Sequence, residues 1–181
     1  MKVEKRTENQ LIIITGKIGI GKTVVCRRLV DIASQCIGAC GGVFTYKLSG
    51  GSMVVEDIAS MKQMVLAGSR KAYRGPLIGN YSFNPAGIKF RLAAIEKAKT
   101  WPLLVIDELG LLEMNPDSGG SALQLLKECV HRSKILAIDE NLLPDFLPMV
   151  GDPDDVFSVT FGNRNTLPDR IVSFIKSQAA A

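Results

Sequence analysis

Gly16, Lys17, Ile18, Gly19, Ile20, Gly21, Lys22 and Thr23 follow one another in the spacing G-x-x-x-x-G-K-T, that of a loop built to cradle phosphate. Its glycines let the backbone curl until N–H groups converge on an anion. A helix opening near Lys22 adds the positive end of its dipole at the same point. In such a loop Lys22 reaches the β- and γ-phosphates as a point charge, and the Thr23 hydroxyl ligates Mg²⁺. Farther along, the apolar run Leu103–Ile106 ends in Asp107 and Glu108. A buried strand would deliver Asp107 to the rim of a sheet, where it can hold the same Mg²⁺, usually through water. Glu108 is then placed to take a proton from the water that attacks the γ-phosphorus. An enzyme passing phosphate to a bulky acceptor has less use for that carboxylate. Alone, a Gly-rich turn or a pair of acids at a strand end is ordinary; together they make a triphosphate site with Lys22 and Glu108 in catalytic roles and Thr23 and Asp107 on the metal.

These residues need elements to hold them. The run Leu11–Ile14 before the loop reads as a strand over 10–15, and Val24, Val25, Leu29, Ile32 and Ala33 give the next stretch a helical stripe to about Gln35. Strands are expected at Val43–Tyr46 and Met53–Ile58, joined by a hairpin turn at Leu48–Ser52. That turn mimics a transport-ATPase signature but lies too far ahead of Asp107 to serve as one. Leu77–Phe83 reads as one extended segment. Asn84 caps a helix that has Pro85 at its first position and Ile88, Leu92 and Ile95 on its buried stripe. A helix over 121–131, strands at 135–138 and 156–161, and a helix over 169–177 follow, with an irregular stretch marked by Pro144, Pro148 and Pro153. Alternating strand and helix argues for an α/β fold: a mainly parallel sheet, helices on both faces, and an antiparallel hairpin.

Other cations are candidates for the charge that develops on the γ-phosphoryl group: Lys17, Arg70, Arg74, Lys89, Arg91, Arg132 and Arg164. Arg74 and Arg91 are preferred because they lie between the two phosphate motifs. Asn163 and Arg164, after the last strand, stand where a nucleobase could be wrapped. His131 reads as a cation at a helix end. No Asn-Lys-x-Asp sequence occurs, so strict guanine specificity is not expected.

At 181 residues, 46% of them hydrophobic and 22% charged, the chain suits one well-buried domain over 1–181. No apolar run approaches a membrane span, and the polar start is not a secretory signal. Cys26, Cys36, Cys40 and Cys129 lack the pairing of a metal site and read as reduced thiols in a cytoplasmic protein. The net charge of +4 is unevenly spread: Lys62–Lys99 holds eight basic residues against Glu96 alone, whereas 100–155 holds eleven acids and three bases. Without a dense interleaving of aromatics, and with the acidic stretch following at once, a nucleic-acid surface is the minority reading of the basic stretch beside an arch over a triphosphate or a solvated face.

The sequence resembles the small P-loop nucleoside-triphosphatase family first described from thermophiles, with a cancer-related human relative. Four stretches carry the likeness: Thr15–Thr23, Gly41–Thr45, the block Ile106-Asp-Glu-Leu-Gly-Leu-Leu-Glu113, and Phe161–Arg164. The first is shared by all Walker-type proteins; the third is more specific. The resemblance implies a monomeric, three-layer, RecA-like α/β domain. It also implies slow, Mg²⁺-dependent hydrolysis of ATP, GTP, CTP and UTP to diphosphates. Two departures stand out. Lys17 replaces a small residue or proline, and Asp139-Glu140 stands where the family tends to offer a basic residue. An inward-facing acid there would repel the γ-phosphate. The alternatives are a P-loop kinase for a small molecule and a nucleotide-gated accessory protein.

Overall fold

Ile12, Ile13 and Ile14 are all fully buried, so the strand that carries them must be covered on both faces. It is β1 (Gln10–Gly16), and it lies between two parallel neighbours. The computed structural model describes residues 10–115, 122–129 and 133–179. In chain order, α1 (Lys22–Cys36), β2 (Cys40–Lys47), β3 (Met53–Asp57), β4 (Gln63–Ser69), β5 (Leu77–Ile78) and β6 (Tyr81–Phe83) follow. Then come α2 (Pro85–Lys97), β7 (Leu103–Leu109), α3 (Leu111–Met114), α4 (Ala122–Glu128), β8 (Ser133–Asp139), α5 (Leu143–Val150), β9 (Asp155–Ser158) and α6 (Leu167–Ala179).

The nine strands form one mixed sheet in the order β5-β6-β4-β3-β2-β7-β8-β1-β9. Strands β2, β7, β8, β1 and β9 run parallel, with β8 between the strand of the phosphate loop and the strand of Asp107. The antiparallel part is larger than the expected hairpin: β3 and β4 extend the sheet from β2, and the β5–β6 hairpin closes its edge with β6 beside β4. The period-2 alternation of each central strand splits the core into two layers. Leu11, Ile13, Leu104, Ile106, Leu136 and Ile138 face α2, α4 and α5 on one side. Ile12, Ile14, Val105, Ile135 and Ala137 face α1 and α6 on the other. Among the described residues no helix is long and apolar enough to cross a membrane.

Several elements differ from the sequence expectation. Leu77–Phe83 is not one strand but the hairpin β5–β6, because Gly79 takes a positive φ of 58° and reverses the chain. Gln63–Ser69 shows no clean alternation, yet pairing with both β3 and β6 makes it a strand. The proline-marked stretch contains α5, with Pro144 in its first turn, where the missing N–H has no helical partner to lose. Pro148 forfeits one internal bond, and the fully buried Phe146 anchors the helix. The hairpin turn at 48–52 is present, closed by Leu48 N donating to Ser52 O at 2.8 Å. Cys26, Cys36, Cys40 and Cys129 are free thiols, Cys36 exposed and the others buried. His131 and Arg132 lie outside the described residues.

Candidate active site

The carboxyl ends of the parallel strands gather Gly16 from β1, Lys47 from β2, Asp107 and Glu108 from β7, and Asp139 from β8. The carboxyl edge of an open α/β sheet is where such folds bind ligands. The phosphate loop leaves β1 through Gly16 (φ 140°), Gly19 (φ 77°) and Gly21 (φ 109°), backbone conformations that L side chains rarely adopt. Ile20, nearly buried, pins the loop to the core, while Lys17, Ile18 and Gly19 are exposed. Gly21 O accepts from Val25 N at 3.0 Å, so α1 begins at once and directs its free N–H groups toward the loop.

Lys22 is held close to the loop. Its Nζ donates to Gly16 O at 2.6 Å and to Lys17 O at 3.0 Å. It also lies 3.6 Å from Asp139 Oδ2. This resolves the placement of the acidic pair: Asp139 points inward, whereas Glu140 is exposed. Asp139 Oδ1 accepts from Asn141 N and Nδ2, and Oδ2 is buried with no hydrogen-bond partner.

Asp107 is 1% exposed. Its Oδ2 accepts from Thr45 N at 3.5 Å, and the Thr23 hydroxyl is near enough to favour its charged form. Burial is the main cause that lifts its pKa from 3.8 to about 7, and the neighbouring Glu108 charge adds to the rise. The Thr23 and Thr45 hydrogen bonds and the Arg27 charge oppose it. A carboxylate so placed calls for a cation. Thr23 and Asp107 supply hard oxygen donors side by side, the donor type that Mg²⁺ prefers. No group of three His, Cys, Asp or Glu among the described residues forms a metal cage. An ion held by these two oxygens would complete its shell with water and phosphate oxygens.

Glu108 is exposed and has a positive φ of 72°, rare for a residue with a side chain. Desolvation by the walls of the site raises its pKa, with Glu113 adding to the rise and Lys47, Arg91 and Lys22 opposing it. Solvent contact tempers that rise.

The two cations preferred from sequence have very different surroundings. Arg91 is 3% exposed and is committed to the core: Nη1 donates to Glu113 Oε1, and Nη2 donates to the Glu108 carbonyl at 3.4 Å. Arg74 is exposed between β4 and β5, and among the described residues no polar contact ties it to the phosphate loop. Lys47, overlooked in the sequence, is the cation with the largest effect on Glu108, and its Nζ also lies 5.4 Å from the Tyr81 ring centre. Its only sequence signal is a lysine ending an apolar strand. Asn163 is spent on its own loop: Oδ1 accepts from Thr160 N at 2.8 Å, and Nδ2 donates to Ser158 O at 2.8 Å. Arg164 packs its chain near Gly21 and lays its guanidinium 5.4 Å from the Phe161 ring centre.

A family model described as NTPase matches residues 11–172. The nucleoside-triphosphatase THEP1 of Methanopyrus kandleri is 27% identical over 175 residues, which span 91% of this chain and 94% of that one. Its namesake from Methanothermobacter thermautotrophicus is 33% identical over 157 residues, spanning 79% and 87%. Among solved structures, THEP1 from the hyperthermophile Aquifex aeolicus matches with a TM-score of 0.71 at 18% identity, covering 92% of this chain and 99% of that one. That structural likeness speaks for the α/β P-loop fold. The chain belongs to the NTPase family.

Proposed function

We propose that this NTPase-family chain binds a nucleoside triphosphate with Mg²⁺ at the carboxyl edge of its sheet and hydrolyses it to diphosphate and phosphate. The phosphates would lie against the N–H groups of Gly16–Thr23, with Lys22 turning from its loop carbonyls to the β- and γ-oxygens. Thr23 and Asp107 would hold the metal, which when bound would supply charge neutralisation to the phosphates. Glu108 would orient the attacking water and receive its proton. Lys47, at the carboxyl end of β2 and electrostatically coupled to Glu108, would meet charge developing on the outer phosphoryl oxygens.

The observation that carries this reading is a buried Asp107 at the end of β7, with Thr23 near its carboxyl and a solvent-facing Glu108 immediately after it. Water, not a bulky acceptor, is the nucleophile such a carboxylate serves. Broad acceptance of bases is supported by Asn163, whose side chain is consumed in holding its loop. Slow turnover is supported by Lys22, which must exchange two carbonyls and Asp139 for phosphate on every cycle. We take the chain to act as one cytoplasmic domain and as a monomer. Phosphate release from ATP, GTP, CTP and UTP, with no acceptor added, tests the reading. Release from all four that stops with EDTA supports it; tight nucleotide binding with release only on addition of an acceptor points to a kinase instead.

A further inference from the structure

Strand β7 does not keep step with β8. Ile106 pairs with Leu136 but Leu109 pairs with Ile138, so β7 holds one more residue than its partner across that interval. This is a bulge, the device that re-aims a side chain beside a site. Leu104 and Ile106 point into one core layer, and strict alternation would send Glu108 in after them. Instead Leu109 takes that place, 1% exposed, and Glu108 is turned out with its φ at 72°. A left-handed backbone at a glutamate is strained and persists only where the surroundings over-determine it.

Arg91 and Glu113 supply that determination. Arg91 lies three residues after Ile88 and four before Ile95, on the buried stripe of α2, where an arginine is out of place unless something needs it. One arm of its guanidinium reaches Glu113, and the other grips the carbonyl of Glu108. The second oxygen of Glu113 accepts from Gly110 N at 2.9 Å, while Glu113 N donates to Gly110 O at 3.0 Å. The backbone is thus held on both sides of the bulge, at the Glu108 carbonyl and at the Gly110 amide, by one buried pair from elements well apart in sequence.

We infer that Arg91 and Glu113 act together as positioning residues, bracing the β7 bulge so that Glu108 is presented to the attacking water while neither touches the nucleotide. The inference rests on the role given to Glu108 above. Arg91→Lys keeps the charge but loses the two-armed fork, and Glu113→Gln keeps size while weakening the grip. Because a displacement of about 1 Å at a reacting group can cost roughly 10²-fold, each change should lower kcat about 10- to 100-fold and move nucleotide Kd less than about threefold. In a Glu108→Gln background the same changes should cost less than about threefold, because the group they position is already lost. By NMR, Gly110 amide exchange should quicken in both single variants.

Single variants that keep wild-type kcat overturn the inference. So do losses of equal size with and without Glu108, or losses that track a lowered Tm, since these mark plain structural support. Glu108→Gln at wild-type rate instead sinks the reading of Glu108, and the brace as a catalytic device with it. Glu108→Gln impaired beside fully active Arg91→Lys and Glu113→Gln sinks the brace alone.

Discussion

Replacing Asp107 by Asn isolates the cost of keeping a carboxylate beneath the phosphate loop. Burial lifts the Asp107 pKa from 3.8 to about 7. Between those values the folded chain holds a proton that the unfolded chain has released, so stability falls as pH rises through the window and levels off above it. At about 1.4 kcal/mol per pH unit, the metal-free protein loses up to about 4 kcal/mol from this group between pH 4 and pH 7. For a chain of this size that corresponds to about 8–16 °C in Tm. Asn fills the same space and its one carbonyl oxygen can still accept from Thr45 N, but it has no proton to lose. Thermal unfolding in EDTA from pH 4.5 to 8.5 should therefore show the two proteins close at low pH, with Asp107→Asn increasingly the more stable toward pH 8. Adding Mg²⁺ with a nucleoside diphosphate should raise the wild-type Tm more than that of the variant, because only the carboxylate offers the metal a charge. Parallel profiles over the whole range, with equal responses to Mg²⁺, would refute the reasoning.

Lys22→Ala should weaken triphosphate binding and reduce turnover at least about 10²-fold, measured by titration calorimetry and phosphate release. Asp139→Asn removes a negative charge 3.6 Å from Lys22 and should tighten triphosphate binding about five- to tenfold, on the order of 1 kcal/mol. Weaker binding in that variant would show that Asp139 supports the lysine rather than competing with the nucleotide. Gly87→Ala would drive a methyl group into the Val65 carbonyl where α2 crosses β4, and should cost about 1–3 kcal/mol in denaturant unfolding.

The phosphate loop and the Asp107 strand were legible in the sequence because local backbone chemistry dictates both: glycines where φ must be positive, and an apolar run where both faces of a strand are covered. The layering followed from the same alternation. What escaped depends on elements meeting. Lys47 shares the carboxyl edge with Glu108 only because β2 pairs with β7, a neighbour relation that no local pattern records. Arg91 was picked out, but its buried pairing was not legible, since its partner Glu113 comes from beyond β7. The inward turn of Asp139 depends on β8 lying between β1 and β7 in register with Gly16. Strand β4 has no periodicity of its own and is defined by its neighbours, and α5 hides behind prolines whose placement near a helix start is harmless.

The most direct measurement compares wild type with Glu108→Gln in acceptor-free phosphate release and in nucleotide affinity, on the same preparations with Mg²⁺. The expected result is a rate lowered about 10²- to 10⁴-fold, the scale of a lost general base, with affinity for the triphosphate unchanged. A variant that releases phosphate at the wild-type rate would contradict the role of Glu108 and reduce it to an acid at the end of a strand.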